Sequence, residues 1–176
     1  VALILATGGN AMVKAAYSCG KPALGVGAGN VPVIIDSSAD LDDAAVKICA
    51  SKIFDNATSC SSENSVIIPA DIFDDAIAAL SRAGGYMATP EEGKNIVDLL
   101  WQDGKLNRNL IAKDAPVLAD AFGLAGEAKQ AKFFMVEETG IGKDYPLSDE
   151  KLSLVLTIYR AKDFADAKRI GQEVLE

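Results

Sequence analysis

The sequence contains no histidine. A Cys–His catalytic pair within this chain is therefore excluded, and any metal ligation would fall on carboxylates and thiols, of which no cluster appears. Cysteine is scarce too: Cys19, Cys49 and Cys60 are an odd, widely spaced set of 3, which reads neither as a disulfide framework nor as a zinc site. No apolar run approaches the roughly 18 residues of a membrane span. The opening Val1-Ala2-Leu3-Ile4-Leu5-Ala6 is too short and lacks the basic start of a signal peptide. Basic residues are outnumbered, 17 against 25 acidic, for a net charge of -8. That argues against nucleic-acid binding, which needs a basic face, and against anionic membrane surfaces. Internal repeats and low-complexity linkers are absent. These absences point to a reducing, cytoplasmic setting. The chain also opens on Val1, already inside an apolar strand-like run, so we expect it to be part of something longer.

What is present is a chain of 176 residues, 49% of them hydrophobic, enough for a substantial core. Val1 to Ala6, Pro22 to Val26, Pro32 to Asp36, Ser65 to Ile68, Phe133 to Val136 and Leu152 to Tyr159 read as strands. Ala11 to Tyr17, a segment opening at Ser38-Ala39-Asp40, Ala70 to Arg82, Thr89 to about Trp101, Ala115 to Phe122 and Lys162 to Leu175 read as helices. In the segment after Asp40, Leu41, Ala44, Ala45, Ile48, Cys49 and Ile53 recur at helical spacing. Thr89-Pro90-Glu91-Glu92 has the cap, first-position proline and acids of a helix start. The alternation predicts an α/β fold: a three-layer arrangement of mostly parallel strands with flanking helices.

Cys60 is the most informative residue. It lies in Phe54-Asp55-Asn56-Ala57-Thr58-Ser59-Cys60-Ser61-Ser62-Glu63-Asn64, a small polar stretch after a helix and before a β-branched run. A buried structural cysteine usually has apolar neighbours, and Cys60 has none within two residues; Cys19 and Cys49 read as packed small hydrophobes. A thiol here suits a nucleophile at a loop mouth, provided something favours its thiolate. Ala6-Thr7-Gly8-Gly9, between a strand and a helix, could bring backbone N–H groups to an anion or a cofactor, or be a tight turn and nothing more. Gly25-Val26-Gly27-Ala28-Gly29-Asn30 reads either as a loop needing unusual backbone angles or as backbone passing close to a reacting centre. Glu63, Glu137 and Glu138 read as solvated carboxylates.

Taken together, these pieces resemble the aldehyde dehydrogenase superfamily, within it the CoA-acylating branch. The resemblance is carried by Ala6-Thr7-Gly8-Gly9, Gly20-Lys21-Pro22-Ala23, Gly25 to Pro32, Phe54-Asp55-Asn56 with Cys60 and Ser62-Glu63, and Asp149-Glu150-Lys151-Leu152-Ser153. It implies that residues 1–24 end a dinucleotide-binding domain and that 25–176 belong to the cysteine-bearing catalytic domain. It implies Cys60 as nucleophile and Thr7, Gly8, Gly9, Glu150 and Leu152 as contacts to NAD or NADP, with coenzyme A as co-substrate, no metal, and a homo-oligomeric assembly. Where hydrolytic members carry a water-activating glutamate, this chain has Val26, which cannot accept a proton and favours transfer to a thiol. Leu154 stands where the family commonly has proline. The stretch around Cys60 looks most like members acting on sulfoacetaldehyde, with acetaldehyde and succinate semialdehyde as neighbours. The resemblance places much of the cofactor domain, an oxyanion asparagine and a Gly-His motif outside these residues, so this stretch by itself is expected to be inactive. The rival readings are a hydrolytic aldehyde dehydrogenase with a relocated base and a non-catalytic α/β assembly module.

Overall fold

The computed structural model describes residues 1–27 and 29–176. Ala28, in the glycine-rich loop, lies outside the described residues. The architecture is α/β with parallel strands, as the alternation predicts. Strands β1 (Ile4–Thr7) and β2 (Ala23–Val26) form a parallel pair around helix α1 (Asn10–Tyr17). A separate five-stranded sheet follows, built from β3 (Pro32–Ile34), β4 (Ser65–Pro69), β5 (Gly85–Met87), β8 (Phe133–Glu137) and β9 (Val155–Ala161). Its order is β3-β4-β9-β8-β5, and every neighbouring pair is parallel.

Helices cover both faces, as a parallel sheet requires. The strand β4 shows why. All five of its residues are buried, and successive side chains point to opposite faces. Val66 and Ile68 enter the core shared with α2 (Leu41–Ile53), α3 (Phe73–Ala83), α4 (Pro90–Leu100) and α5 (Ala115–Ala121). Ile67 enters the opposite core, with Tyr159, Ala161 and the residues Ala167, Ile170 and Val174 of α6 (Phe164–Leu175). Full burial of each such aliphatic side chain is worth about 1.5–3 kcal/mol.

Local signals set the helix starts. The Asp40 carboxylate accepts the Asp43 N–H at 3.1 Å. Thr89 and Glu92 form a reciprocal capping box: Glu92 N–H donates to Thr89 Oγ1 at 3.3 Å and Thr89 N–H to Glu92 Oε2 at 2.8 Å. The Thr89 N–H holds the Glu92 carboxyl below its ordinary pKa, against the opposing effect of burial.

Four details differ from the sequence expectation. Helix α3 begins at Phe73, not Ala70, because a turn closed by Ile72 N–H on the Pro69 carbonyl at 3.3 Å comes first. The last strand begins at Val155, not Leu152, because Leu152 has φ +46° and cannot continue an extended run. The short edge strand β5 follows Gly84, whose φ of +118° ends α3. A small hairpin pairs β6 (Trp101–Gln102) with β7 (Lys105–Leu106) around Asp103-Gly104, both left-handed, which is the turn chemistry such a tight connection needs. No helix of the described residues is long and apolar enough to cross a membrane.

Candidate active site

The strand order brings the site together. Gly29 lies just before β3, Cys60 before β4 and Glu150 before β9. Those three strands are adjacent and parallel, with Pro32 beside Ser65 and Ser65 beside Thr157. Their incoming loops therefore emerge side by side at the amino end of the sheet. Ligands of open α/β sheets ordinarily sit at the carboxyl ends of the strands, so this cluster is on the opposite edge.

Cys60 is exposed, and the backbone of Gly29 is packed against it. A Cβ added to Gly29 would stand 2.8 Å from the Cys60 carbonyl oxygen and 3.5 Å from its Cβ, so only glycine permits this approach. The same Gly29 offers its N–H to the Glu150 carboxyl. Burial raises the Glu150 pKa above its ordinary value, opposed by that N–H and by Lys151. Cys60 and Glu150 thus share one glycine between them.

The Thr7-Gly8-Gly9 turn connects less directly. Gly8 N–H donates to the Val26 carbonyl at 3.0 Å, tying the turn to the glycine-rich loop. A Cβ on Gly27 would lie 3.2 Å from Asn10 Oδ1. Gly9 is the N-cap of α1 with no side-chain cap, and a Cβ there would meet nothing within 4 Å. The helix start therefore has no side-chain cap; Met12 N–H turns back to the Gly9 carbonyl at 2.9 Å, and the N–H groups of Asn10 and Ala11 have no partner among the described residues. Val26 is 56% exposed at the end of β2.

The lead-in to Cys60 carries backbone strain the sequence did not announce. Asp55, Asn56 and Ala57 are left-handed in succession, at φ +50°, +51° and +60°. A left-handed residue other than glycine costs roughly 1–2 kcal/mol, less for Asp and Asn. The turn is held by Thr58 Oγ1, which donates to the Asp55 carbonyl at 2.6 Å, and by Asn56 Nδ2, which donates to Asp114 Oδ1 at 2.7 Å. Leu152 at φ +46° and Ala112 at φ +58° are strained as well, and Ala112 N–H donates to the Leu152 carbonyl at 3.0 Å. Strain of this kind gathers where the surrounding structure dictates geometry. The dipeptide Asp55-Asn56 was the one available signal, since both residues tolerate φ above zero.

Sequence reasoning also missed two buried lysines behind the loop. Lys52 is 1% exposed and Lys151 is fully buried. Lys52 Nζ donates to the Glu63 carbonyl at 2.8 Å, and burial pulls its pKa down to about 7, opposed by Glu63. Lys151 Nζ donates to the carbonyls of Leu147 at 2.7 Å and Asp149 at 2.9 Å. Its pKa falls well below the ordinary lysine value, first through burial and then through Lys52. Nearby Ser62 Oγ, Glu63 Oε2, Ser65 Oγ and Ser153 Oγ are buried without a partner among the described residues, a concentration of unpaired polar atoms unusual away from functional sites. A hollow of about 290 Å³ lined by Glu138, Tyr159, Arg169 and Glu173 lies elsewhere and does not include Cys60.

The sequence pattern of the aldehyde dehydrogenase family matches residues 1–89, which hold the Thr7-Gly8-Gly9 turn, the glycine-rich loop and Cys60. This chain belongs to the aldehyde dehydrogenase family. It is 51% identical over 166 residues to an acylating sulfoacetaldehyde dehydrogenase of Cupriavidus necator, covering 94% of this chain and 34% of that protein. It superposes on an acetylating aldehyde dehydrogenase from Geobacillus thermoglucosidasius with a TM-score of 0.94 at 40% identity, covering 98% of this chain and 38% of the other. A propionaldehyde dehydrogenase of Rhodopseudomonas palustris, solved with bound CoA and an acylated cysteine, gives 0.89 at 30% identity, covering all of this chain and 40% of that one. The chain thus spans between about a third and two fifths of the length of these aldehyde dehydrogenases.

Proposed function

We propose that Cys60 is the acyl-carrying nucleophile of a CoA-acylating, NAD(P)-dependent aldehyde dehydrogenase. The observation that carries this reading is an exposed Cys60 packed against the backbone of Gly29, the same residue whose N–H bonds the Glu150 carboxyl. The Cys60 thiolate adds to the aldehyde carbonyl carbon, forming the C–S bond of a thiohemiacetal. A nicotinamide cofactor supplies the acceptor for the hydride that leaves that carbon, and a thioester on Cys60 remains. The thiolate of coenzyme A then attacks the thioester carbonyl, giving the acyl-CoA and returning Cys60 as thiolate. Glu150 and Leu152, with Thr7, Gly8 and Gly9, are the residues that would hold the cofactor: a half-buried carboxyl suits a ribose hydroxyl, and the open start of α1 suits a phosphate. Residues 1–24 would belong to the cofactor-binding part and 25–176 to the catalytic part.

Val26 supports transfer to a thiol over transfer to water, since a valine at the exposed end of β2 offers no base. The favoured aldehyde is sulfoacetaldehyde, supported by the likeness to the Cupriavidus necator protein; acetaldehyde and succinate semialdehyde are the rivals. The 176-residue stretch alone is proposed to be inactive, since the aldehyde dehydrogenases it resembles are about three times as long. A second reading, hydrolysis, draws on Glu63, three residues after Cys60, whose Oε2 is buried without a partner among the described residues.

The test is NAD(P)+ reduction by the intact enzyme carrying this sequence, with sulfoacetaldehyde, acetaldehyde or succinate semialdehyde, with and without CoA. Reduction that requires CoA, is lost in Cys60→Ala, and leaves an acyl mass on the Cys60 peptide when CoA is withheld is the expected result. Full-rate acid release without CoA would support hydrolysis instead, and undiminished activity in Cys60→Ala would refute both readings.

A further inference from the structure

Two asparagines join the Cys60 loop to the Glu150–Leu152 segment, one before the cysteine and one after it. Before it, Asn56 Nδ2 donates to the Ala112 carbonyl at 3.3 Å and to Asp114 Oδ1 at 2.7 Å. The N–H of Ala112 in turn donates to the Leu152 carbonyl at 3.0 Å. After it, the buried Asn64 accepts the Lys151 N–H on Oδ1 at 3.0 Å. The Asn64 backbone reaches both neighbours of its own loop: its N–H donates to the carbonyl of Val31, just before β3, at 2.9 Å, and its carbonyl accepts the N–H of Thr157, in β9, at 3.0 Å. Asn64 therefore touches all three loops of the site: the one holding Gly29, its own, and the one holding Glu150.

We propose that Asn56 and Asn64 are positioning residues that set the separation between the Cys60 sulfur and the cofactor-contacting Glu150–Leu152 segment. This rests on the functional reading above. Both bridges end on residues that cannot adjust freely. Asn56 and Leu152 are held left-handed, and Lys151 is fully buried with its Nζ on two carbonyls. Loss of either side-chain bridge leaves the loops intact but free to drift relative to one another. Hydride transfer needs the thiohemiacetal carbon and the acceptor in near contact, and a misplacement of about 1 Å can cost on the order of 100-fold in rate. Alkylation of Cys60 by a small reagent needs no such registration. The two rates should therefore separate.

The experiment is single-turnover NAD(P)+ reduction in the intact enzyme, alongside the rate of Cys60 alkylation by iodoacetamide without cofactor. Asn64→Leu and Asn56→Gly, the glycine chosen because it tolerates φ above zero, are each expected to slow reduction by roughly 10- to 100-fold while alkylation changes by less than about twofold. Asn64→Asp keeps an acceptor for the Lys151 N–H and should recover most of the rate, which also guards against a leucine variant that folds poorly. Reduction within about twofold of the unmutated enzyme in both variants would overturn the inference. So would a matching fall in alkylation, or an aspartate variant no better than leucine. If the unmutated enzyme reduces no cofactor with any aldehyde, the functional reading fails and takes this inference with it, a result told apart because no variant is involved.

Discussion

Burial of Lys52 should make the stability of this protein rise with pH above neutrality. The Lys52 ammonium lies in the interior with one carbonyl partner, and burial lowers its pKa from 10.5 to about 7. In the unfolded chain it titrates at the ordinary value. Between those two pH values the unfolded state holds one more proton than the native state, so stability rises with pH across the window, by about 1.4 kcal/mol per unit at most. Over the whole window the change is roughly 5 kcal/mol. The penalty is present in full below the native pKa and disappears as pH approaches the unfolded one. Lys52→Met keeps the length and the apolar stem but carries no proton. Near neutral pH the variant should be the more stable protein. Its advantage should shrink by about 2–3 kcal/mol between pH 7 and pH 9, and the unpaired Glu63 carbonyl should leave it the less stable one at higher pH. Lys151 widens the contrast, because loss of Lys52 removes a charge that depresses the Lys151 pKa and so leaves less pH-dependent penalty in the variant. Urea unfolding followed through the single tryptophan, Trp101, in both proteins at several pH values measures the difference. A difference that stays flat from pH 7 to pH 9 would show that Lys52 is not held in a low-dielectric site.

Further tests address the site and its frame. In Gly29→Ala a Cβ would stand 2.8 Å from the Cys60 carbonyl oxygen; turnover of the intact enzyme should fall on the order of 100-fold, with an unchanged far-ultraviolet circular dichroism spectrum. Ala112→Gly should raise stability by roughly 0.5–1 kcal/mol, because φ +58° strains alanine but not glycine; a lower urea midpoint would contradict this. Thr89→Ala removes the acceptor for the Glu92 N–H and should cost about 1 kcal/mol, read from the same unfolding curves.

Much of this protein was legible in the order of its residues. The β-branched run at Val66-Ile67-Ile68, the acids after Asp40 and the Thr89-Pro90 start act through neighbours in sequence, so periodicity and capping identified their elements. Cys60 stood out because its surroundings are polar and small. The turns were harder. Leu152 reads as the start of a strand because its own side chain favours one; a long-range bond from Ala112 holds it left-handed instead. Lys52 falls within a helical segment like any surface lysine, and only the packing of α2 against the sheet encloses it.

The alternation of strands and helices, the glycines that allow close approach and the thiol able to react are all local properties of the chain. Tertiary structure alone decided that Gly29, Cys60 and Glu150 meet. They are far apart in the chain and converge because β9, last of the strands, inserts between β4 and β8. That insertion depends on which faces bury most apolar surface and on ladder bonds between distant segments, and no local stretch of residues encodes either.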